Sequence, residues 1–419
     1  MPRPHHSTRA ETRWAVRIIP LFIVAVLGVA TYSVVARLCK PPLPVSYLYH
    51  KKHQSGVVTA FLVLYFLFFL LMAAAYLRTF FTTQLNPGLV PLSSREQIER
   101  EAAEKLRKRR HKRNRDVEES AYVPPDPSPD SPGLEAFYSK DVFVCEVDGR
   151  PKWCSECQQW KPDRSHHSSD LGRCVRKMDH FCPWVGGIVS ETSFNFFTQF
   201  CLYTGLFSAV NLAVGAYSFH QHRQDGDPTD GWALAVIVLA CVFGTFTFGM
   251  AFTSIRFIFL NTTNVDMLKR SNVVVLAVRI PLSTPPSIKY PVVVYPLRGP
   301  PHRPGSEGQQ SSSQYGTVSA RDQQAERKFA ILRTKPRENP WDLGIKENWK
   351  SVMGDNIIEW LLPIRHSPCC NHEGMKSDYK LGPLISKMRK RYGAPELETP
   401  TRSGHAIELQ DRTSRRASD

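Results

Sequence analysis

Four stretches of this 419-residue chain run for about twenty residues each without a charged side chain, at 18–36, 57–76, 196–219 and 232–252. At about 1.5 Å per residue, each can cross a hydrocarbon core of about 30 Å as a helix. The slightly negative mean hydropathy only reflects long polar segments diluting these runs, so the chain reads as a multi-pass membrane protein. The first run is too long for a signal-peptide core and has no small-residue cleavage site, so it reads as an uncleaved span. Arg3, Arg9, Arg13 and Arg17 precede it, and a basic run ending KLRKRRHKRNR at Arg115 follows the second. Beside a membrane anchor, that basic run means positive-inside topology and attraction to anionic headgroups rather than nucleic acid. Both termini and the 78–192 loop are expected on the cytosolic face, although Arg37, Lys40, Lys51 and Lys52 in the first short loop oppose this.

Between spans two and three lies WCSECQQWKPDRSHHSSDLGRCVRKMDHFCPWVGG, with four cysteines and three histidines. Cys154, Cys157, His167 and Cys174 offer three thiolates and one imidazole, a set that closes a tetrahedral structural zinc site. The bland alternative is a group of unrelated free thiols. Such thiolates stay reduced only on the cytosolic side, which agrees with the charge pattern. Asp179, His180 and Cys182 overlap this set. A cysteine becomes nucleophilic when an imidazole takes its proton and a carboxylate holds that imidazole in one tautomer. On spacing alone, Cys182 can equally be a further metal ligand.

The segment resembles the cysteine-rich domain of the DHHC protein S-acyltransferases (palmitoyltransferases), and the chain is similar to the fungal Pfa type. The residues that match without a gap are Cys154, Cys157, Lys161, Pro162, Arg164, His167, Cys174, Met178, Asp179, His180, Cys182, Pro183, Trp184 and Val185. The family holds two zinc ions through interleaved sets. One set falls complete on Cys154, Cys157, His167 and Cys174, whereas Ser168, Leu171, Phe181 and Ile188 stand at every position of the other. The resemblance therefore implies one structural zinc, with Leu171, Phe181 and Ile188 filling the vacated volume as an apolar cluster. It also implies Cys182 as acyl-carrying nucleophile, His180 as base, Asp179 as its orienter and palmitoyl-CoA as co-substrate. Acceptor cysteines on cytosolic or membrane-associated proteins follow from the same likeness.

Beyond the fourth span, Thr262, Thr263, Asn264 and Val265 resemble the family's Thr-Thr-x-Glu, with Val265 in place of the acid and Asp266 one position on. Asn348 maps to the asparagine that anchors the family's tail to the membrane domain. Asn86-Pro87-Gly88 reads as ordinary turn chemistry, and Cys369-Cys370 as a site of self-acylation. The expected fold is an all-α integral membrane protein with a cytosolic, zinc-bound cysteine-rich domain of small β-hairpin content between helices two and three. Its expected divisions are a cytosolic N-terminus (1–17), the spans at 18–36, 57–76, 196–219 and 232–252, a basic helix and Pro-rich linker (94–140) and the cysteine-rich domain (141–192). A post-span segment with a hairpin (261–300), a disordered stretch (301–335), a tail element (339–364) and a disordered tail (365–419) complete them. Two rival readings are a pseudoenzyme that only binds substrates and a membrane-anchored zinc module that binds partners.

Overall fold

The computed structural model describes residues 7–39, 55–92, 131, 133–228, 230–268, 273–295, 326–370 and 378–397. The basic stretch at 100–115, the Ser/Gln-rich 305–324 and, apart from Ser131, the linker at 124–132 lie outside them. The helices in chain order are α1 (Ser7–Thr31, continued as a π-helix over Tyr32–Cys39), α2 (Ser55–Leu85), α3 (Glu135–Tyr138), α4 (Phe194–Asp225), α5 (Gly231–Leu260), α6 (Asn264–Leu268), α7 (Ile345–Met353), α8 (Ile357–Leu361) and α9 (Leu384–Tyr392). Four of them, α1, α2, α4 and α5, are long and apolar enough to cross a membrane. The last three run past the charge-free stretches, because polar residues such as Arg78 continue the same helix beyond the hydrocarbon region.

The spans pack through a shared core of Tyr65, Met72, Tyr203, Phe207 and Val236. Tyr65 and Phe207 meet at 4.9 Å between ring centroids. Where α4 crosses α5, Gly205 lies against Phe248, and a Cβ on Gly215 would come within 2.8 Å of Ile237. Small residues at such crossings let helices approach where lipid offers no hydrophobic driving force. Gly226 ends α4 in the left-handed region at φ 70. Asp230 opens α5 by accepting from the Trp232 N–H.

The all-α expectation needs correcting, because ten strands occur among the described residues: β1 (Val142–Val144), β2 (Trp153–Cys154), β3 (Gln159–Trp160), β4 (Ser165–Ser168), β5 (Arg173–Arg176), β6 (His180–Cys182), β7 (Gly187–Val189), β8 (Val275–Ile280), β9 (Val292–Tyr295) and β10 (Arg327–Arg333). The chain divides into two units, one of residues 1–125, 152–273 and 335–384, the other of 126–151, 274–334 and 385–419. In the first, β2–β3, β4–β5 and β6–β7 are three separate antiparallel pairs. The second holds an antiparallel sheet in the order β1-β8-β10-β9. Phe143, Tyr295 and Phe329 meet edge to face in it, and Arg389 of α9 donates to the Arg279 carbonyl at 2.8 Å. Residues 327–333 were expected within a disordered stretch, yet they form the strand between β8 and β9, where Phe329, Ala330, Ile331 and Leu332 are buried. The tail expected to be disordered from 365 likewise contains a short turn at Pro368–Cys370 and α9.

The tail element is fastened to the membrane helices by side chains that take up backbone carbonyls. Gln199 donates to Glu359 and Trp360, Asn195 to Arg365 and Tyr203 to Leu361. Asn348, fully buried, donates from Nδ2 to Phe259 O at 2.8 Å and to Asp342 Oδ1 at 2.7 Å, and accepts from Leu343 N at 2.9 Å. Replacing Asn348 by Ala leaves those groups buried and unpaired, at about 1–3 kcal/mol. A lower thermal midpoint in detergent and reduced steady-state protein are the expected outcomes.

Candidate active site and metal centre

The Cys154–Cys157 knuckle sits on the β2–β3 hairpin, where Trp153 pairs with Trp160 and Gln158 takes the left-handed conformation at φ 52. The tight turn brings the Cys157 backbone N–H onto the Cys154 sulfur. On the neighbouring hairpin His167 and Cys174 are direct cross-strand partners, so their side chains share one face. The four donor atoms converge within 4.8 Å of one another. His167 Nδ1 lies 3.5 Å from Cys154 Sγ and 3.4 Å from Cys157 Sγ. A zinc ion with ligands at about 2.0–2.3 Å needs donors roughly 3.3–3.8 Å apart, so the set fits a tetrahedral ion. Hydrogen bonds to Cys154 and then to Cys157 outweigh burial and push His167 up to about 9, as an electron-rich pocket does.

Ser168, Leu171, Phe181 and Ile188 form no comparable donor set. Phe181 and Ile188 are cross-strand partners in the β6–β7 pair, and Ile188 is fully buried. Ser168 is also buried, its hydroxyl accepting from Leu171 N at 3.3 Å. The expectation of a three-residue apolar cluster is corrected, because Leu171 is 40% exposed. It lies on the turn between β4 and β5, beside Gly172 at φ 61, and points away from the packed layer.

Asp179, His180 and Cys182 are brought together. Asp179, buried, approaches His180 Nδ1 through Oδ2 at 2.7 Å, and Cys182 lies two residues on along the same strand. Burial pushes His180 down, but Asp179 and Cys182 prevail and leave it at about 9. Phe197 of α4 closes the other side of the ring at 5.2 Å. After Cys182 the chain makes a turn of 3-10 helix over Pro183–Val185, capped by Gly186 at φ 72.

That turn hangs on the end of α2. Thr83 Oγ1 donates to Val185 O at 3.0 Å and Gln84 Nε2 to Gly186 O at 2.6 Å. A Cβ on Gly186 would come within 3.0 Å of Phe80, and one on Gly187 within 3.0 Å of Thr83. The Asn86-Pro87-Gly88 turn continues the attachment. Its carbonyls accept from Thr192, Ser190 and the Arg176 backbone N–H, and the Cys174 carbonyl accepts from Val90 N at 2.9 Å. One turn thus holds both the metal-centre strand and the loop after β7. Thr83, Gln84, Ser190 and Thr192 escaped sequence reasoning because nothing in their local spelling marks a partner a hundred residues away.

A buried guanidinium secures the opposite side. Arg164 donates to Asn261 Oδ1 at 2.8 Å, Asn261 O at 2.9 Å and Asp266 Oδ2 at 3.0 Å, with Trp341 beneath it at 4.9 Å. Burial pushes Asp266 up, and the Arg164 charge outweighs it, holding the carboxylate below its usual range. Asp266 and Thr263 cap each other's backbone N–H groups, which turns the Asn264 N–H onto Asp179 Oδ1 at 2.8 Å. Asp266 thus places a carboxylate at this turn, one position after Val265. The Thr262 hydroxyl is buried and makes no hydrogen bond.

Cys182 and Trp184 also border a cavity of about 300 Å³ between the four spans. Its walls are mainly apolar, with Phe22, Leu27, Met72, Phe200, Leu239 and Phe243 among them. On α5 it extends from Val236 to Met250, about 21 Å at 1.5 Å per residue.

Residues 147–271 match the family model described as DHHC palmitoyltransferase. The chain is 38% identical to palmitoyltransferase pfa5 of Aspergillus fumigatus, over 93% of this chain and 92% of that protein. It is 36% identical to palmitoyltransferase pfa5 of Emericella nidulans, over 95% and 89%. Palmitoyltransferase PFA5 of Saccharomyces cerevisiae is 26% identical over 61% of this chain and 63% of its own length.

Proposed function

The chain belongs to the DHHC palmitoyltransferase family and is a protein S-acyltransferase, and on that premise we propose that Cys182 carries the acyl group between an acyl-CoA and a protein thiol. The observation that supports this reading is the hydrogen-bonded Asp179–His180 pair with Cys182 on the same strand, bordering a long apolar cavity. His180 takes the thiol proton, and the Cys182 sulfur attacks the thioester carbonyl of palmitoyl-CoA. The C–S bond to coenzyme A breaks, and its sulfur leaves with a proton returned by His180. An acceptor cysteine then attacks acyl-Cys182, and Cys182 is regenerated. The acyl chain lies in the cavity, where each buried methylene contributes about 0.8 kcal/mol. The reaction thus takes place where the cavity opens at the cytosolic surface, with both termini on that side.

Cys154, Cys157, His167 and Cys174 would hold one zinc ion, whose part is to fold the segment. Ser168, Leu171, Phe181 and Ile188 leave a second ion without donors. Asp179 keeps His180 in the tautomer that accepts from Cys182, with the Asn264 N–H fixing the carboxylate. An intact run of this kind, in a chain so similar to palmitoyltransferases, argues against the pseudoenzyme.

Cys182→Ser is expected to abolish hydroxylamine-labile labelling by a clickable palmitoyl-CoA analogue while zinc content stays unchanged. Labelling of that variant at the wild-type level would move the nucleophile elsewhere. His180, at about 9, is protonated at pH 7, so the rate of acyl-enzyme formation should rise with pH, its acid limb lying above 7. Asp179→Asn removes the carboxylate that raises the imidazole. The limb should fall toward about 6.5, the unperturbed value, and the maximal rate should drop about 10²–10⁴-fold. Metal analysis should return one zinc per chain. Cys157→Ala should lose both metal and protein, since a structural site contributes on the order of 10 kcal/mol. Two tightly held equivalents would contradict the single-ion assignment.

A further inference from the structure

A second nucleophilic cluster, separate from the Cys182 run, lies where the tail meets the cysteine-rich segment. Lys177 is only 7% exposed, and its Nζ reaches Cys369 Sγ at 3.9 Å. The neighbouring Cys370 thiol donates to Glu191 O at 2.7 Å, and Tyr379 OH donates to Glu191 Oε2 at 2.5 Å. Burial pushes the Lys177 ammonium down, and the Cys369 sulfur is the largest charge opposing it. The adjoining Cys370, the largest influence, outweighs burial and acts with Lys177 and Arg164 to hold Cys369 at about 6.

The space beside this sulfur decides what can react there. Cys369 borders a cavity of about 10 Å³, shared with Lys177, Asp179, Glu191, Thr263 and Ser367. That is room for about one water-sized group. A long acyl chain does not fit, which argues against self-acylation of Cys369 while the tail is docked. One oxygen atom does fit.

We propose that Cys369 is a peroxide-reactive thiolate, a modification site that hydrogen peroxide converts to a sulfenic acid. The sulfur attacks one peroxide oxygen, an S–O bond forms as the O–O bond breaks, and the departing hydroxide takes a solvent proton to become water. Sulfur is oxidised and peroxide reduced. The new oxygen occupies the cavity that also borders Asp179, within reach of the Lys177 ammonium. Two equivalents of a small thiol return the sulfenic acid to the thiol, with a disulfide and water as products.

The test uses the full chain in nanodiscs, exposed to hydrogen peroxide and then to a 1,3-dione that captures sulfenic acids, with the adduct assigned by peptide mass spectrometry. Cys369 should be captured about tenfold faster than glutathione at pH 7, because an ordinary thiol is only a few per cent thiolate there. Lys177→Met should slow capture about tenfold, and Lys177→Arg should preserve it. Capture no faster than glutathione, or unchanged by Lys177→Met, would overturn the proposal. Should Lys177→Met fail to fold, alkylation of wild-type Cys369 by iodoacetamide decides the matter. A rate nearly level between pH 7 and 8.5 supports a thiolate, and a tenfold rise excludes one. A fatty thioester on Cys369 after incubation with palmitoyl-CoA would also overturn it.

Discussion

The buried guanidinium of Arg164 is the interaction on which the arrangement of the candidate site depends. It sits in the cysteine-rich segment, yet its hydrogen bonds go to the end of the fourth span and to α6, and Trp341 of the tail lies under it. A cation with a side chain only 1% exposed is tolerated because a carboxylate and two amide oxygens surround it. Removing one such partner is far more damaging than never having buried the pair. The same bonds that neutralise Arg164 orient the Thr263–Asp266 turn, and through it a backbone N–H aimed at Asp179. Electrostatic balance and active-site geometry are therefore a single structural fact here.

The His180 imidazole is governed from two sides that do not share an element. Asp179 receives its orientation from α6, whereas Cys182 receives its position from the end of α2 through Thr83 and Gln84. Strand β6 carries His180 and Cys182, with Asp179 just before it, and is itself only three residues long. Such a short strand could not keep a reactive geometry by its own ladder. The rigidity comes from membrane helices, which sets this site apart from one built on a free-standing zinc domain.

Much of this was legible in the sequence, for identifiable reasons. The spans announce themselves by the absence of charge, and the converging Cys/His set by four soft donors at close spacing. Tertiary pairing was harder to read. The strand Arg327–Arg333 has its partners at Val275–Ile280 and Val292–Tyr295, across a long polar insertion that hides the pattern. Leu171 looked like core because it replaces a ligand, but its place on a turn puts it in solvent. Asp266 stands one position beyond the motif's acid in the sequence. On a turn, a hydrogen-bonded cap can be completed from a neighbouring position, so the spelling of a motif is looser than its geometry. The Asn-Pro-Gly turn seemed ordinary because its role lies in carbonyls, which no side-chain pattern reports.

The attachment of the Cys182 turn to Thr83 and Gln84 makes the second span a ruler. The position of the Cys182 sulfur along the bundle is counted in helical residues below those two side chains, at about 1.5 Å and 100° apiece. One residue inserted into the span would lift the sulfur and swing it away from the mouth of the cavity, without altering a single residue of the cysteine-rich segment. A thicker or thinner bilayer that tilts the span would likewise change the sulfur's elevation relative to the headgroups. The register of the Cys182 turn is thus written partly in the length of a membrane-spanning helix, and the membrane that surrounds it acts as part of the gauge.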